Sequence, residues 1–176
     1  MERTWAGIGS RKLANGEAAR LAALARHLTD QGWWLHSGNA DGADVAFQSG
    51  ASGRGTAFLP WPGHNPANLH GMEACTEITP EALATARRLH PKGRRLDGKA
   101  LLFMARNVQI VEGLRGARRC DAVVCCADPL PDGVEGGSSL AWSLARELGI
   151  PCFNLRTEGD EERFLLWAGA PPPLKV

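Results

Sequence analysis

Three kinds of pattern are missing from this chain, and each absence narrows what it can be. No apolar run reaches the roughly 20 residues that a bilayer-spanning helix needs, so no membrane partner is expected. The five cysteines (Cys75, Cys120, Cys125, Cys126 and Cys152) form no CxxC pair, and no Cys/His spacing suits zinc, so no metal is expected. His36, His64, His70 and His90 stand in no recognisable relation to a nucleophile, so no Ser-His-Asp or Cys-His arrangement is present. Internal repeats are also lacking, low complexity is confined to Pro171-Pro172-Pro173, and nothing implies a cofactor.

The start, Met1-Glu2-Arg3-Thr4-Trp5, runs straight into a strand-like segment, which reads as no secretory signal. Three of the cysteines sit inside apolar strand-like runs. They read as reduced, buried small hydrophobes, and together these points give a cytoplasmic expectation.

The chain has 176 residues, 44% hydrophobic and 22% charged, which suits one globular domain. That domain is expected over residues 1–170, with 171–176 a disordered tail. The net charge of +1 hides an asymmetry: Arg87, Arg88, Lys92, Arg94, Arg95, Lys99, Arg106, Arg115, Arg118 and Arg119 face only Asp97 and Glu112 over that span. Such a bias marks either an anionic partner or a solvated helical face with a loop.

Strand and helix patterns alternate. Strands are read at Arg3–Gly9, Trp33–His36, Thr56–Leu59, Cys120–Ala127 and Pro151–Leu155. Helices are read at Asn15–Asp30, Ala43–Ser49, Gly98–Leu114, Ser138–Leu148 and Glu161–Trp167, with the stretch from Asn65 to about His90 mostly helical. Trp5, Trp33, Trp34 and Trp142 are expected in the core. The alternation predicts an α/β, Rossmann-like, mostly parallel five-stranded sheet of order 3-2-1-4-5 with helices on both faces. Ligands bind such sheets beyond the strand C-termini at the switch point, here between the first and fourth strands.

Three glycine-rich loops follow strands. The first, Gly7-Ile8-Gly9-Ser10-Arg11-Lys12, can turn backbone N–H groups toward an anion, with Ser10 donating and Arg11 or Lys12 pairing with a phosphate. It lacks the third glycine of the dinucleotide fingerprint. A tight strand-to-helix turn would look the same. The second, Ser37-Gly38-Asn39-Ala40-Asp41-Gly42-Ala43-Asp44, places Asp44 in the first turn of a helix, where it is either a loop anchor or a catalytic group. The third includes Glu135, Gly136, Gly137, Ser138 and Ser139 and opens a helix, as either a phosphate cradle or an ordinary serine cap. Trp61, in the loop after the third strand, is placed to stack on a base.

Taken together, these residues resemble the DNA-processing protein A (Smf) family. Ser37 to Asp44 is similar to its SGxAxGxD loop, Gly9-Ser10-Arg11 to its GSR, Arg106-Asn107 to its RNR, and Gly136-Gly137-Ser138-Ser139-Leu140 to its GSGSL. The ordered set spans about residues 3 to 155. The superfamily, often called SLOG, also includes YpsA-like proteins and the lonely-guy phosphoribohydrolases. The resemblance implies a pocket for a nucleotide or nucleoside phosphate, or for single-stranded DNA. It brings in Arg106 and Asn107, which periodicity alone leaves on a helix surface. Val108 stands where the family has its second Arg, and Ser143 stands where the hydrolases carry a glutamate. An N-glycoside hydrolase acting on nucleoside 5′-monophosphates would therefore have to use Glu135 or Asp44. A homodimer is expected only by analogy with other α/β folds.

Overall fold

The computed structural model describes residues 2–170, so the tail expectation at 171–176 lies outside the described residues. The elements in chain order are β1 (Thr4–Gly9), α1 (Glu17–Asp30), β2 (Trp34–Ser37), α2 (Ala43–Ala51), β3 (Gly55–Phe58), β4 (Glu73–Cys75), α3 (Pro80–Leu89) and α4 (Gly98–Glu112). They continue with β5 (Ala122–Cys126), β6 (Pro129–Leu130), β7 (Gly133–Val134), α5 (Ser139–Glu147), β8 (Cys152–Asn154) and α6 (Asp160–Ala168).

The main sheet is parallel throughout and has six strands in the order β4-β3-β2-β1-β5-β8. The chain works outward from β1 to β4, then crosses back to lay β5 on the other side of β1. The order therefore reverses between β1 and β5, at the expected switch point.

The expectation of five strands is corrected by β4. It lies inside the stretch read as mostly helical, where only Pro80–Leu89 forms a regular α-helix. The reason is local. Thr79 caps α3 by accepting the Ala82 N–H at 3.1 Å, and Pro80 occupies the first turn, so the helix cannot begin earlier. Upstream, Glu73, Ala74 and Cys75 pair with Thr56, Ala57 and Phe58 at the sheet edge. A three-residue edge strand shows no alternation to read. Pro129–Leu130 and Gly133–Val134 also pair, as a small antiparallel hairpin, so part of the segment read as a loop is strand.

Both faces of the sheet are covered, which explains the uniformly apolar central strands. Trp5, Leu35, Val124 and Cys126 face α1, α2 and α6 through Leu24, Phe47 and Phe164. Ala6, Ile8, Val123 and Cys125 face α3, α4 and α5 through Ala86, Val108 and Leu144. Trp5, Trp33 and Trp142 are buried as expected. Trp34 is not: it is half-buried, its indole N–H donates to Thr56 Oγ1 at 3.0 Å, and the Arg118 guanidinium lies 5.0 Å from the ring centroid.

His36 is also a core residue. Its Nδ1 lies 3.0 Å from the Ile110 carbonyl, and burial lowers its pKa to about 4. All five thiols are free. No helix among the described residues is long and apolar enough to cross a membrane.

Candidate functional site

The strand C-termini on either side of β1 open into a cleft of about 680 Å³. Its walls come from segments far apart in sequence. Gly9, Ser10 and Arg11 form one wall after β1. Glu135, Gly136, Gly137 and Ser138 form another ahead of α5, and Asp44 contributes from α2. Arg106 and Asn107 reach in from α4. Ten of the sequence-derived site residues thus meet in one place.

The first two loops touch directly. Ala43 N–H donates to the Ser10 carbonyl at 2.9 Å. Gly42 sits at φ 84°, and a Cβ there would fall 2.3 Å from that carbonyl oxygen. Only glycine allows this crossing.

Arg106 and Asn107 then tie the other loops together. Arg106 Nη1 donates to the Gly38 carbonyl, and its Nε donates to Asn107 Oδ1 at 3.0 Å. Asn107 Nδ2 donates to the Gly137 carbonyl at 2.8 Å. Arg106 is 5% exposed, so it does not point to solvent as a helical Arg ordinarily would. Among the described residues no hydrogen bond uses its Nη2.

Asp44 lies against this cation. A Cβ on Gly38 would meet both Asp44 Oδ2 at 2.7 Å and Arg106 Nη1 at 2.8 Å, so glycine is what lets the two groups approach. Asp44 Oδ2 accepts the Ala40 N–H at 3.3 Å. Burial raises its pKa to about 6, although Arg106 and Arg11 pull the other way. The Arg106 pKa is lowered by the same burial and by Arg11, and Asp44 opposes this.

The opposite wall is ionically closed. Arg156, just past β8, donates from Nη2 to Glu17 Oε1 at 2.8 Å and from Nε to Glu17 Oε2 at 3.0 Å. It also reaches Asp128 Oδ1 at 3.0 Å and the Lys12 carbonyl at 2.8 Å. These bonds hold Glu17 at a pKa of about 2.

Arg11 and Lys12 are exposed at the mouth. Phe103 lies there too, with the Arg11 and Arg106 guanidinium carbons 5.7 and 5.5 Å from its ring centroid. The N–H groups of Arg11, Gly136, Gly137 and Ser138 enter no hydrogen bond among the described residues, so they are available to an anion.

Six expected residues lie outside the cleft lining. Ser37 is fully buried and donates to the Gly7 carbonyl at 2.6 Å, joining β2 to β1. Gly38 and Gly42 act through their backbones, as above. Asp41 is exposed and accepts from Asn68 Nδ2 at 3.0 Å. Ser139 is exposed on α5. Trp61 stands beside the mouth, its ring centroid 5.1 Å from both His64 and Phe103 in edge contacts, with Lys99 Nζ 5.4 Å away.

The segment carrying Trp61 is held by Asn39, a buried residue at φ 60°. Asn39 Nδ2 donates to the His64 and Asn65 carbonyls at 2.8 and 2.9 Å, and Gln48 Nε2 donates to Asn39 Oδ1 at 2.8 Å.

Sequence reasoning missed Phe103, Met104, Asp128 and Arg156, all of which line the cleft. Phe103 lies three residues before Arg106 on α4, so helical spacing from Arg106 could have found it. Arg156 had a positional signal only, as the residue after an expected strand end. Among the described residues no group of three His, Cys, Asp or Glu side chains could hold a metal ion.

No protein-family model matches this chain, and no curated protein matches it in sequence. Solved structures do match it. DNA processing protein A from Helicobacter pylori is 20% identical with a TM-score of 0.54, over 97% of this chain and 74% of that one. The Streptococcus pneumoniae protein of that name is 20% identical with a TM-score of 0.58, and this chain spans 58% of its length. The molybdenum cofactor carrier protein from Chlamydomonas reinhardtii is 15% identical with a TM-score of 0.53, over 97% of this chain and 88% of that one. The likeness is one of fold, and at that level it meets the expectation raised by the loop motifs: this chain has the Rossmann-like α/β architecture of DNA processing protein A and of the cofactor carrier.

Proposed function

We propose that the chain is a binding module for a nucleotide or nucleoside phosphate, with the phosphate held in the cleft between β1 and β5. One observation carries the reading. Three loops distant in sequence, together with the buried guanidinium of Arg106, surround a single hollow whose free donors are backbone N–H groups and exposed cations. Arg156 is already engaged by Glu17 and Asp128, so Arg11, Lys12 and Arg106 supply the positive charge. The likeness to a cofactor carrier agrees with a binding role.

Thermal-shift titration of the chain with nucleoside monophosphates tests this. A ligand that binds only the folded state raises its melting temperature. The shift is expected to shrink in Arg11→Ala. A flat melting temperature across the panel would remove the reading. Following free base in the same incubations tests the hydrolase alternative, which would use Glu135, exposed in the cleft, or the buried Asp44.

Single-stranded DNA is a second reading, favoured by the matched Helicobacter pylori protein, which binds it. The basic run supports it only in part. Arg88, Arg115 and Arg118 are paired with Glu147, Glu77 and Glu2. Lys92, Arg94, Arg95 and Lys99 stay exposed near the start of α4, at the cleft end of the sheet. Oligonucleotide binding through them would weaken steeply with salt.

A further inference from the structure

The cleft contains a group that a simple anion site has no use for, the carboxyl of Asp44. It is 5% exposed and lines the same hollow as Arg106. Its Oδ2 takes the Ala40 N–H, and the Gly38 backbone also bears on the carboxyl. Arg106 from α4 and Arg11 from the loop after β1 bear on it. The neutral thiol of Cys125 in β5 lies close by, and Lys12, Glu135 and Arg156 line the same walls. A buried carboxylate beside a bound anion repels it; Arg106 and Arg11 offset part of that repulsion, and a proton held between the two groups would remove the rest.

We propose that the cleft is built for a terminal phosphomonoester, which it distinguishes from sulfate and from phosphodiesters by holding one proton between a non-bridging phosphate oxygen and Asp44. This rests on the anion cleft proposed above and deepens it by naming the ligand class. A phosphomonoester loses its last proton with a pKa of about 6. Burial raises the Asp44 pKa to about 6, so its carboxyl as well as the phosphate can hold that proton. Sulfate and a phosphodiester carry no proton near neutrality and so bring none to share with the carboxylate. The interior of a nucleic-acid strand consists of diesters, whereas a free nucleotide and a phosphorylated strand end each present a monoester.

The chemistry balances simply. At pH 8 the ester arrives as a dianion and Asp44 is a carboxylate, so binding takes one proton from the buffer and breaks no other bond. Affinity should then fall about tenfold for each pH unit above 7, by linkage.

Calorimetry tests this with methyl phosphate, dimethyl phosphate and sulfate as probes, at pH 8 in two buffers of different ionisation enthalpy. The expected result for the native chain is uptake of about one proton with methyl phosphate, and affinity at least tenfold above that for the other two probes. Asp44→Asn should take up no proton and lose that preference. Should Asp44→Asn fail to fold, the two-buffer measurement on the native chain still decides.

Equal affinity for methyl phosphate and sulfate, or binding without proton uptake, would overturn this proposal and leave the anion cleft standing. No binding of any probe would overturn both. Adenosine 5′-monophosphate and a 5′-phosphorylated trinucleotide, run as further arms, tell a free nucleotide from a strand end. Tighter binding of their dephosphorylated forms would also sink the proposal.

Discussion

The two sides of the cleft handle charge in opposite ways. On one side Arg156 is only partly buried and fully engaged: Glu17 takes it with both oxygens, and Asp128 and the Lys12 carbonyl take the rest. On the other, Arg106 is almost wholly buried, spends its bonds on a carbonyl and an amide, and faces a carboxyl with a raised pKa. A fork of this kind is complete without a ligand and holds β8 to the loop after β1. The Arg106 side has buried charge with capacity left over, which is costly in a fold and useful in a binding site. On the proposed reading, the difference gives support to one wall and recognition to the other.

The sharpest way to break that division is Arg106→Met. Removing this buried cation frees the Gly38 carbonyl and takes a neighbouring positive charge from Asp44, at a cost of about 1–3 kcal/mol. Urea denaturation should show a loss in that range, and methyl phosphate binding should disappear. A loss below about 1 kcal/mol would mean that the Arg106 side is not the strained one.

Glu17→Gln attacks the supporting wall. The low pKa of Glu17 is its folded value and about 4.5 its ordinary one. Its contribution is therefore complete above pH 4.5 and is lost as pH falls toward 2. The variant should lose about 1–3 kcal/mol at neutral pH and show a shallower acid decline between pH 4.5 and 2. Probe affinity should stay within about twofold of the native value. A tenfold drop would show that the fork takes part in binding.

The smallest effect is expected from Arg11→Ala. The side chain is exposed, so the change should cost less than about 0.5 kcal/mol in unfolding while still weakening anion binding severalfold. Loss of stability without loss of affinity would reverse the roles of the two walls.

The parts of this molecule that could be read from sequence are those with a local signature. The buried run Ala122–Cys126 shows itself as a central parallel strand because both its faces are covered. The glycine loops show themselves because close backbone crossings exclude a Cβ, as Gly42 does over Ser10. Asp44 and Glu135 could be named, but not their environments: nothing in the letters says that one is buried beside a guanidinium and the other exposed.

What stayed hidden depends on tertiary pairing. Glu73–Cys75 becomes a strand only because β3 offers it an edge. Arg106 reads as a surface residue because α4 packs over the loops as well as the sheet, so more of its circumference is covered than a single apolar stripe suggests. Arg156 and Glu17 are 139 residues apart, and no spacing rule links them.

Asn39 gives the recognition wall one more property. Its amide grips the backbone at His64 and Asn65, and the preceding residue, Gly38, is the one that Arg106 holds. Two neighbouring peptide units therefore couple the charged floor of the hollow to the aromatic rim bearing Trp61. On the proposed reading, a guest that shifts the guanidinium would act on the rim through a single short lever, setting grip below and fit above together rather than apart.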